Sequence, residues 1–598
     1  MKNPQPIENH ALIGDLNTVA LVAIDGTIDF MCFPRFDSPS VFASLLDAER
    51  GGHFSITPQH EDVKHKQLYL PDSNILLTRF LTPNGVAEIS DFMPVDQAVP
   101  AHDLVRRVKV VHGELTFRMT CAPRFDYARA KHRCTIEGES VLFTSDSLLL
   151  RLRSSVPLSV EGDDVTATFT LRANESAAFV LEDGSVAPRG DLHERVVEDF
   201  KSTLNYWRAW IRRCTYVGRW REMVHRSALV LKLLVSQAHG SLVAAPTFGL
   251  PEAIGGARNW DYRFTWIRDA SFTVYALMRL GYMDEAAAFS RWIEKRCEEL
   301  NPDGSLQIMY AIDGHHELPE SELPHLRGYR DSQPVRIGNA AYDQLQLDIY
   351  GELMDSVYIF DKYGEPVTHG LWTNLVRLIH WVTENWRRAD EGIWEVRGGR
   401  QEFLYSRLMC WVAIDRGVRL ARRRSLPCPM VEWMRVRDEI YHDIHTNFWN
   451  EELGSFVQFA GSTTVDASCL LMPLVKFISP KDPRWLSTLK VIESVLVEDS
   501  LVNRYKVGDA ASDGFEGEEG TFNMCTFWFT ECLARSGDPR QGRFIFEKML
   551  GYANHVGLYA EQLGPQGEHL GNFPQAFTHL GLISAAYALD RSLTEIRG

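Results

Sequence analysis

Ten cysteines are spread along 598 residues, at positions 32, 121, 134, 214, 297, 410, 428, 469, 525 and 532, and no two form a Cys-x-x-Cys pair. No histidine cluster has zinc-ligand spacing either, which excludes a zinc ribbon or a dithiol redox motif and leaves reduced, buried thiols as the expectation. No stretch reaches the roughly 18 apolar residues that a membrane span needs. Met1 to Asn17 carries one lysine and lacks the apolar centre of a secretion signal, so a cytoplasmic protein with no membrane partner is expected. Positive charge is also short, with 63 Lys+Arg against 79 Asp+Glu and a net charge of −16. Such a surface repels phosphate backbones and anionic lipid, so nucleic acid is not an expected partner.

What remains is the composition of an ordinary globular protein, 45% hydrophobic and 24% charged. Its length exceeds what one core usually serves, so two sizeable cores are expected. The hydrophobic period divides the chain accordingly. Up to about residue 190 it alternates: Val165, Ala167, Phe169 and Leu171 share one face of a strand. Asp25-Gly26, Asn84-Gly85 and Gly162-Asp163 fall between such runs, where tight turns favour these residue types. An antiparallel β-sandwich over residues 1–190 is the economical reading. Val196, Phe200, Leu204, Trp207 and Ile211 then mark one face of a helix within a linker, 191–218, expected to pack against both halves.

From 219 to 598 the period is helical. Twelve segments are predicted, at about 219–239, 264–280, 284–300, 341–362, 366–388, 402–424, 429–448, 466–477, 482–498, 518–536, 539–553 and 574–592. The connections after the odd-numbered segments are long, about 13 to 40 residues, while the others span only about 2 to 4. Short links force antiparallel hairpins, so every long loop emerges at one end. Six hairpins closed in a ring, an (α/α)6 barrel, place those loops around a single mouth, where a site is expected.

Four loops, and the helix start after one of them, carry residues suited to sugar chemistry. Arg258-Asn-Trp-Asp-Tyr-Arg263 precedes Trp266-Ile-Arg-Asp269. Arg268 and Asp269 can fork onto adjacent hydroxyls while Trp266 stacks on a pyranose, although the same pair can cap the helix and form an internal salt bridge. In Glu391-Gly-Ile-Trp-Glu395 the ring of Trp394 beside Glu395 would resist ionisation and favour a proton donor; an exposed loop glutamate is the plainer alternative. Arg504-Tyr505 is followed by Asp513-Gly-Phe-Glu-Gly-Glu-Glu-Gly520, which lacks the alternating ladder of a calcium loop. Glu518 and Glu519 are expected to open the next helix rather than bind metal. The last long loop holds Tyr559-Ala-Glu-Gln562, putting Glu561 at the same mouth as Glu395. Two carboxylates facing one cavity are the minimum apparatus for glycosidic hydrolysis.

Gly14 to Val22, Pro34-Arg-Phe-Asp-Ser-Pro39, Leu250-Pro-Glu252, Arg258 to Tyr262, Trp266 to Ala270, Gly392 to Glu395 and Glu518-Glu-Gly-Thr-Phe522 resemble, in order, segments of glycoside hydrolase family 15, the glucoamylase family, in its bacterial branch that includes trehalases. The resemblance implies a trehalase-like N-terminal β-sandwich followed by an (α/α)6 catalytic barrel. It implies Glu395 as general acid and Glu561 as general base, with Arg268 and Asp269 gripping the terminal glucose and Arg504 as a further sugar-binding residue. Fungal relatives have a second glutamate after the acid; here Val396 follows, so the subsite beyond the cleaved bond is expected to differ.

The expected activity is exo-hydrolysis of an α-glucoside from its non-reducing end with inversion, releasing β-glucose, the carboxyls standing roughly 6.5–9.5 Å apart to admit a water. Trehalose and α-1,4 or α-1,6 gluco-oligosaccharides are the candidate substrates. Two other readings are a disaccharide phosphorylase of the same architecture, in which phosphate replaces the water and Glu561 is dispensable, and a catalytically silent sugar-binding protein. No cofactor or metal is expected, though the resemblance leaves dependence on magnesium or phosphate open, as it does assembly into a homo-oligomer.

Overall fold

The computed structural model describes residues 4–95, 102–506, 514 and 519–595. Its N-terminal part is two layers of antiparallel strands. One layer runs His10–Gly14, Val19–Ala23, Ile28–Cys32, His53–Pro58, the second half of Leu104–Ala122, Asp164–Arg172 and Ser159–Glu161. The other runs Lys64–Tyr69, Leu76–Thr82, Gly85–Phe92, the first half of Leu104–Ala122, Ser176–Asp183, Leu149–Ser154, Ser140–Thr144 and Arg133–Glu137. The long strand changes layers at Gly113, whose φ of 80° needs a residue without a Cβ; a Cβ there would meet the Asn84 carbonyl at 2.1 Å.

The predicted alternation holds in Asp164–Arg172, where Val165, Ala167, Phe169 and Leu171 are all buried. It fails in the first three strands, whose residues are buried throughout. Ala11, Ile13, Ala20 and Val22 face the sandwich interior, while Leu12, Leu21 and Phe30 join the core of the helical part. A strand covered on both faces has no polar side to alternate with. Helix α1 (Leu192–Ile211) bridges the halves. Its Leu192 and Val196 pack with Ile75, Phe92 and Val180 of the sheet. Farther along, Trp210 stacks on Tyr282 at 3.9 Å and donates its indole N–H to Glu285 at 2.6 Å.

Among the described residues the twelve helices that follow are α2 (Arg221–Leu234), α3 (Ala270–Leu280), α4 (Met283–Glu298), α5 (Ile349–Tyr363), α6 (His369–Asn385), α7 (Leu404–Arg424), α8 (Met430–Asn447), α9 (Leu471–Leu474), α10 (Pro483–Leu496), α11 (Asn523–Ser536), α12 (Pro539–Gly551) and α13 (Ala576–Glu595). Helices α3, α5, α7, α9, α11 and α13 form the inner ring, which closes where α13 packs on α3. Gly281 ends α3 in the left-handed conformation, φ 90°, as a helix stop requires. Four predicted segments begin late or break. Thr265-Trp266 pairs as a strand with Met309-Tyr310, so α3 starts only at Ala270. Ala340–Asp343 is a separate 3-10 turn before α5, and α9 is one turn cut short at Pro473, which lacks a donor. The fourth, α11, begins at Asn523 rather than at Glu518 or Glu519.

All six long loops enter inner helices at their N-termini, so those ends surround one mouth. In the ring order α3, α5, α7, α9, α11, α13, the loop entering α7 lies across from the loop entering α13. Those two loops carry Glu395 and Glu561.

Candidate active site

Glu395, Glu561, Trp266, Arg268, Asp269, Trp394 and Arg504 all line one cavity, together with Glu252, Tyr262, Arg397, Gln575 and Phe577. The loop holding Glu395 is pinned from below. Asp390 forms a bridge with Gln401, Glu391 accepts from the Leu345 amide at 2.9 Å, and Arg268 donates to the Ile393 carbonyl at 3.0 Å. Glu395 itself has φ 56°, a left-handed conformation that a residue with a Cβ adopts at a cost of about 1–2 kcal/mol. Such strain persists where surrounding contacts over-determine it.

The carboxylate of Glu395 receives two donors on Oε1: the Trp266 indole at 2.7 Å and Arg268 Nη1 at 3.1 Å. Among the described residues none donates to Oε2. The ring of Trp394, expected to shield this carboxyl, turns elsewhere. Its N–H goes to Asp466 at 2.9 Å, and its ring meets Phe522 edge-on at 5.8 Å. Consecutive residues in a turn point apart, so the indole that serves Glu395 comes from Trp266, distant in sequence. Trp266 is 2% exposed, bonded at its edge rather than open across its face.

Glu561 is nearly fully buried. Its Oε1 accepts from the Tyr262 hydroxyl at 2.8 Å and from Gln575 Nε2 at 3.1 Å, while Oε2 has no hydrogen-bond partner. The space around Oε2 depends on Gly571, φ 75°, where a Cβ would stand 2.5 Å from that oxygen. Burial, and after it the charge of Glu252, raises the Glu561 carboxyl well above the ordinary carboxylate range. Burial followed by the charges of Glu561 and Glu252 likewise lifts the Tyr262 phenol, keeping it a donor. A chain of contacts links the two glutamates, since the rings of Tyr262 and Trp266 meet at 5.5 Å.

Arg268 and Asp269 bond to each other, Nε to Oδ1 at 3.1 Å, and Asp269 makes no side-chain cap to α3. Arg504 lies over the Phe522 ring at 4.2 Å and grips Glu519, Nε to Oε1 at 3.2 Å with a closer contact at Nη2. Arg258 also reaches Glu519 at 3.0 Å. Glu519 is therefore the buried counter-ion of two arginines and not a helix-opening residue. Of the acidic stretch 513–520, Asp513, Phe515, Glu516, Gly517 and Glu518 lie outside the described residues. Among the described residues no group of three His, Cys, Asp or Glu side chains is arranged to hold a metal ion. Tyr262, Gln575 and Glu252 are among the lining residues that sequence reasoning passed over as site residues. Tyr262 and Glu252 sat inside the motifs Arg258 to Tyr262 and Leu250-Pro-Glu252, but Gln575 had no local signal.

A sequence profile described as glycosyl hydrolases family 15 matches residues 218–587, and one described as trehalase-like, N-terminal matches residues 2–187. A trehalase of Mycobacterium tuberculosis is 37% identical, the alignment covering 100% of this chain and 91% of the relative. One from Mycolicibacterium smegmatis is 38% identical over 100% and 93% of the two chains, and one from Thermoplasma volcanium 36% over 98% and 94%. Among solved structures, a bacterial glucoamylase complexed with acarbose superposes with a TM-score of 0.74, covering 98% of this chain and 95% of its own. At 14% identity that likeness is one of fold.

Proposed function

The chain belongs to the glycosyl hydrolases family 15 and is a glycoside hydrolase acting on α-glucosides; on that premise we propose that it cleaves trehalose, in a single displacement with inversion, by Glu395 acid and Glu561 base catalysis. The observation that carries this reading is a pair of glutamates on loops that enter opposite inner helices, both lining one cavity. Relatives alike over nearly the full chain and named trehalases support the substrate.

In this mechanism the two donors on Glu395 Oε1 leave the acidic proton on Oε2. That proton passes to the departing glycosidic oxygen as the C1–O bond breaks. Glu561 Oε2 takes a proton from a water that attacks C1 from the opposite face. Arg268 and Asp269 hold the terminal glucose, with Trp266, Trp394 and Arg504 lining the walls.

The products discriminate well. Inversion at one anomeric carbon of trehalose releases one β-glucose, and the other glucose leaves with its α configuration untouched. Proton NMR within the first minutes should therefore show equal α and β signals, whereas retention gives only α. Initial rates on trehalose, maltose, isomaltose and soluble starch, measured side by side, should be highest for trehalose; a faster rate on starch would reassign the substrate.

Gly571→Ala places a methyl against Glu561 Oε2 and forces a positive φ on alanine. Activity is expected to fall about 10²-fold, the scale of an ångström-sized displacement of a reacting group. Circular dichroism should remain that of the wild type, and a variant with full activity would contradict the placement of the water at Oε2.

A further inference from the structure

Glu252 is a fourth carboxylate in the catalytic cavity, beside Glu395, Glu561 and Asp269, and the mechanism above leaves it without a task. It follows the strand Phe248–Pro251, which pairs with Asn259–Asp261, and its amide donates to the Arg258 carbonyl at 3.1 Å. Its side chain is 3% exposed. Oε1 accepts from the Trp260 indole at 2.9 Å, whereas Oε2 has no hydrogen bond within 3.5 Å; it stands 3.6 Å from Arg504 Nη2 and 3.9 Å from Arg258 Nη1, and the side-chain amide of Gln562 is a further neighbour of this carboxylate.

Among the described residues, Glu252 Oε2 and Glu561 Oε2 are two buried carboxylate oxygens of this cavity that make no hydrogen bond within 3.5 Å. The backbone holds them together through one residue. Gly571 donates its amide to the Pro251 carbonyl at 2.7 Å, immediately before Glu252, and its missing Cβ makes room for Glu561 Oε2. Buried polar atoms in native proteins nearly always find a partner. A water molecule has two hydrogens to give, and an attacking water works best with both engaged and a lone pair turned to C1.

We infer that Glu252 is a positioning residue for the hydrolysis: its Oε2 and Glu561 Oε2 each accept one hydrogen of the attacking water, fixing that water's lone pair on the anomeric carbon. The inference rests on Glu561 as the base. In the step itself the water oxygen bonds to C1 as the glycosidic C1–O bond breaks. Glu561 takes one hydrogen as a proton, Glu395 delivers its own to the leaving oxygen, and the hydrogen held by Glu252 stays on the new hydroxyl of β-glucose.

Charge supports the division of labour. Two guanidiniums, Arg258 and Arg504, face Glu519 and Glu252, while the donors to Glu561 are the neutral Tyr262 and Gln575. The anion at Glu252 therefore raises the basicity of its neighbour.

The test is kcat and KM for trehalose against pH, in the full-length enzyme and in two variants. Glu252→Gln keeps an acceptor for Trp260 but removes the charge. It is expected to lower kcat about 10²-fold, to leave KM within about twofold, and to move the acid limb of kcat/KM to lower pH, because Glu561 loses a neighbouring anion. Glu252→Asp keeps the charge but withdraws the oxygen by one methylene. It should also lower kcat, with the acid limb near its wild-type position, and it carries the test if Glu252→Gln does not fold. A raised KM with unchanged kcat would mark Glu252 as a sugar-binding group and overturn the inference. Wild-type kcat in Glu252→Asp, or an acid limb unmoved in Glu252→Gln, would overturn it too. A parallel measurement on Glu561→Ala with added azide separates the two claims. Restoration of turnover with β-glucosyl azide as product keeps the base assignment whatever Glu252 does; undiminished activity without azide removes that assignment first.

Discussion

Glu561→Gln is expected to lower kcat on trehalose by about 10³-fold, within the range a general base contributes, with KM nearly unchanged. The substitution is close to isosteric. A glutamine carbonyl can still accept from Tyr262 and Gln575 at the Oε1 position, so the walls of the cavity should stay where they are. What is lost is the group proposed to take the proton from the attacking water. Stability should move the other way. The folded-state pKa of Glu561 lies above its value of about 4.3 in an unfolded chain. The native state therefore binds the proton more tightly, and the wild type loses stability as pH rises from the unfolded value through the folded one. Glutamine has no such loss. Melting temperatures measured between pH 4 and 9 should diverge in favour of Glu561→Gln as pH rises. A kcat within tenfold of the wild type would remove Glu561 from the reaction.

The same cause is expected to raise the acid limb of the wild-type kcat/KM profile above the ordinary carboxylate range, since a base at Glu561 would have to lose its proton before acting. A limb at the value of an exposed glutamate would show that water in the open cavity offsets the burial of this side chain.

Loop lengths carried the architecture because connectivity obeys simple geometry. A two-residue link such as Gly281-Tyr282 cannot cross a bundle, whereas the segment between α4 and α5 can only be a long excursion. Alternation of such links is a property of spacing, and spacing is visible in a sequence. The strands with a single buried face were legible for the same reason. The first three were not, because their second covering layer is a helix roughly 200 residues away, and α9 was not, because Pro473 sits within an apolar run that reads as continuous. In the site, Glu395 and Glu561 were legible as loop carboxylates. The neighbours that set their chemistry were not, because adjacency along the chain is a poor guide to adjacency at a mouth built from six loops. Trp394 follows this rule against expectation, as do Tyr262 and Gln575. Glu519 shows its converse: an acidic residue before a helix looks like dipole stabilisation until the arginines it balances, Arg258 and Arg504, arrive from elsewhere.

Glu395→Gln should separate the acid from the base by its dependence on the leaving group. Glutamine can keep its carbonyl at the Oε1 position, under Trp266 and Arg268, and present an amide where the acidic proton stood. It can still donate a hydrogen bond but cannot surrender a proton. The aglycone of trehalose departs as a sugar hydroxyl, a poor leaving group without protonation, so kcat/KM on trehalose is expected to fall by about 10⁴-fold, the upper end of what a positioned acid supplies. The fluoride of α-glucosyl fluoride leaves with little protonic help, so on that substrate the loss should be about tenfold, while Glu561→Gln loses its activity on both because water still needs a base. Equal losses on the two substrates in Glu395→Gln would mean that the residue orients the sugar and that the proton comes from another group. Wild-type rates on both would take it out of the reaction altogether. The left-handed backbone at residue 395 adds a reason to expect the variant to remain folded. Glutamic acid already bears that strain, glutamine bears the same, and the pins from Arg268 to the Ile393 carbonyl and from the Leu345 amide to Glu391 do not involve the substituted atom.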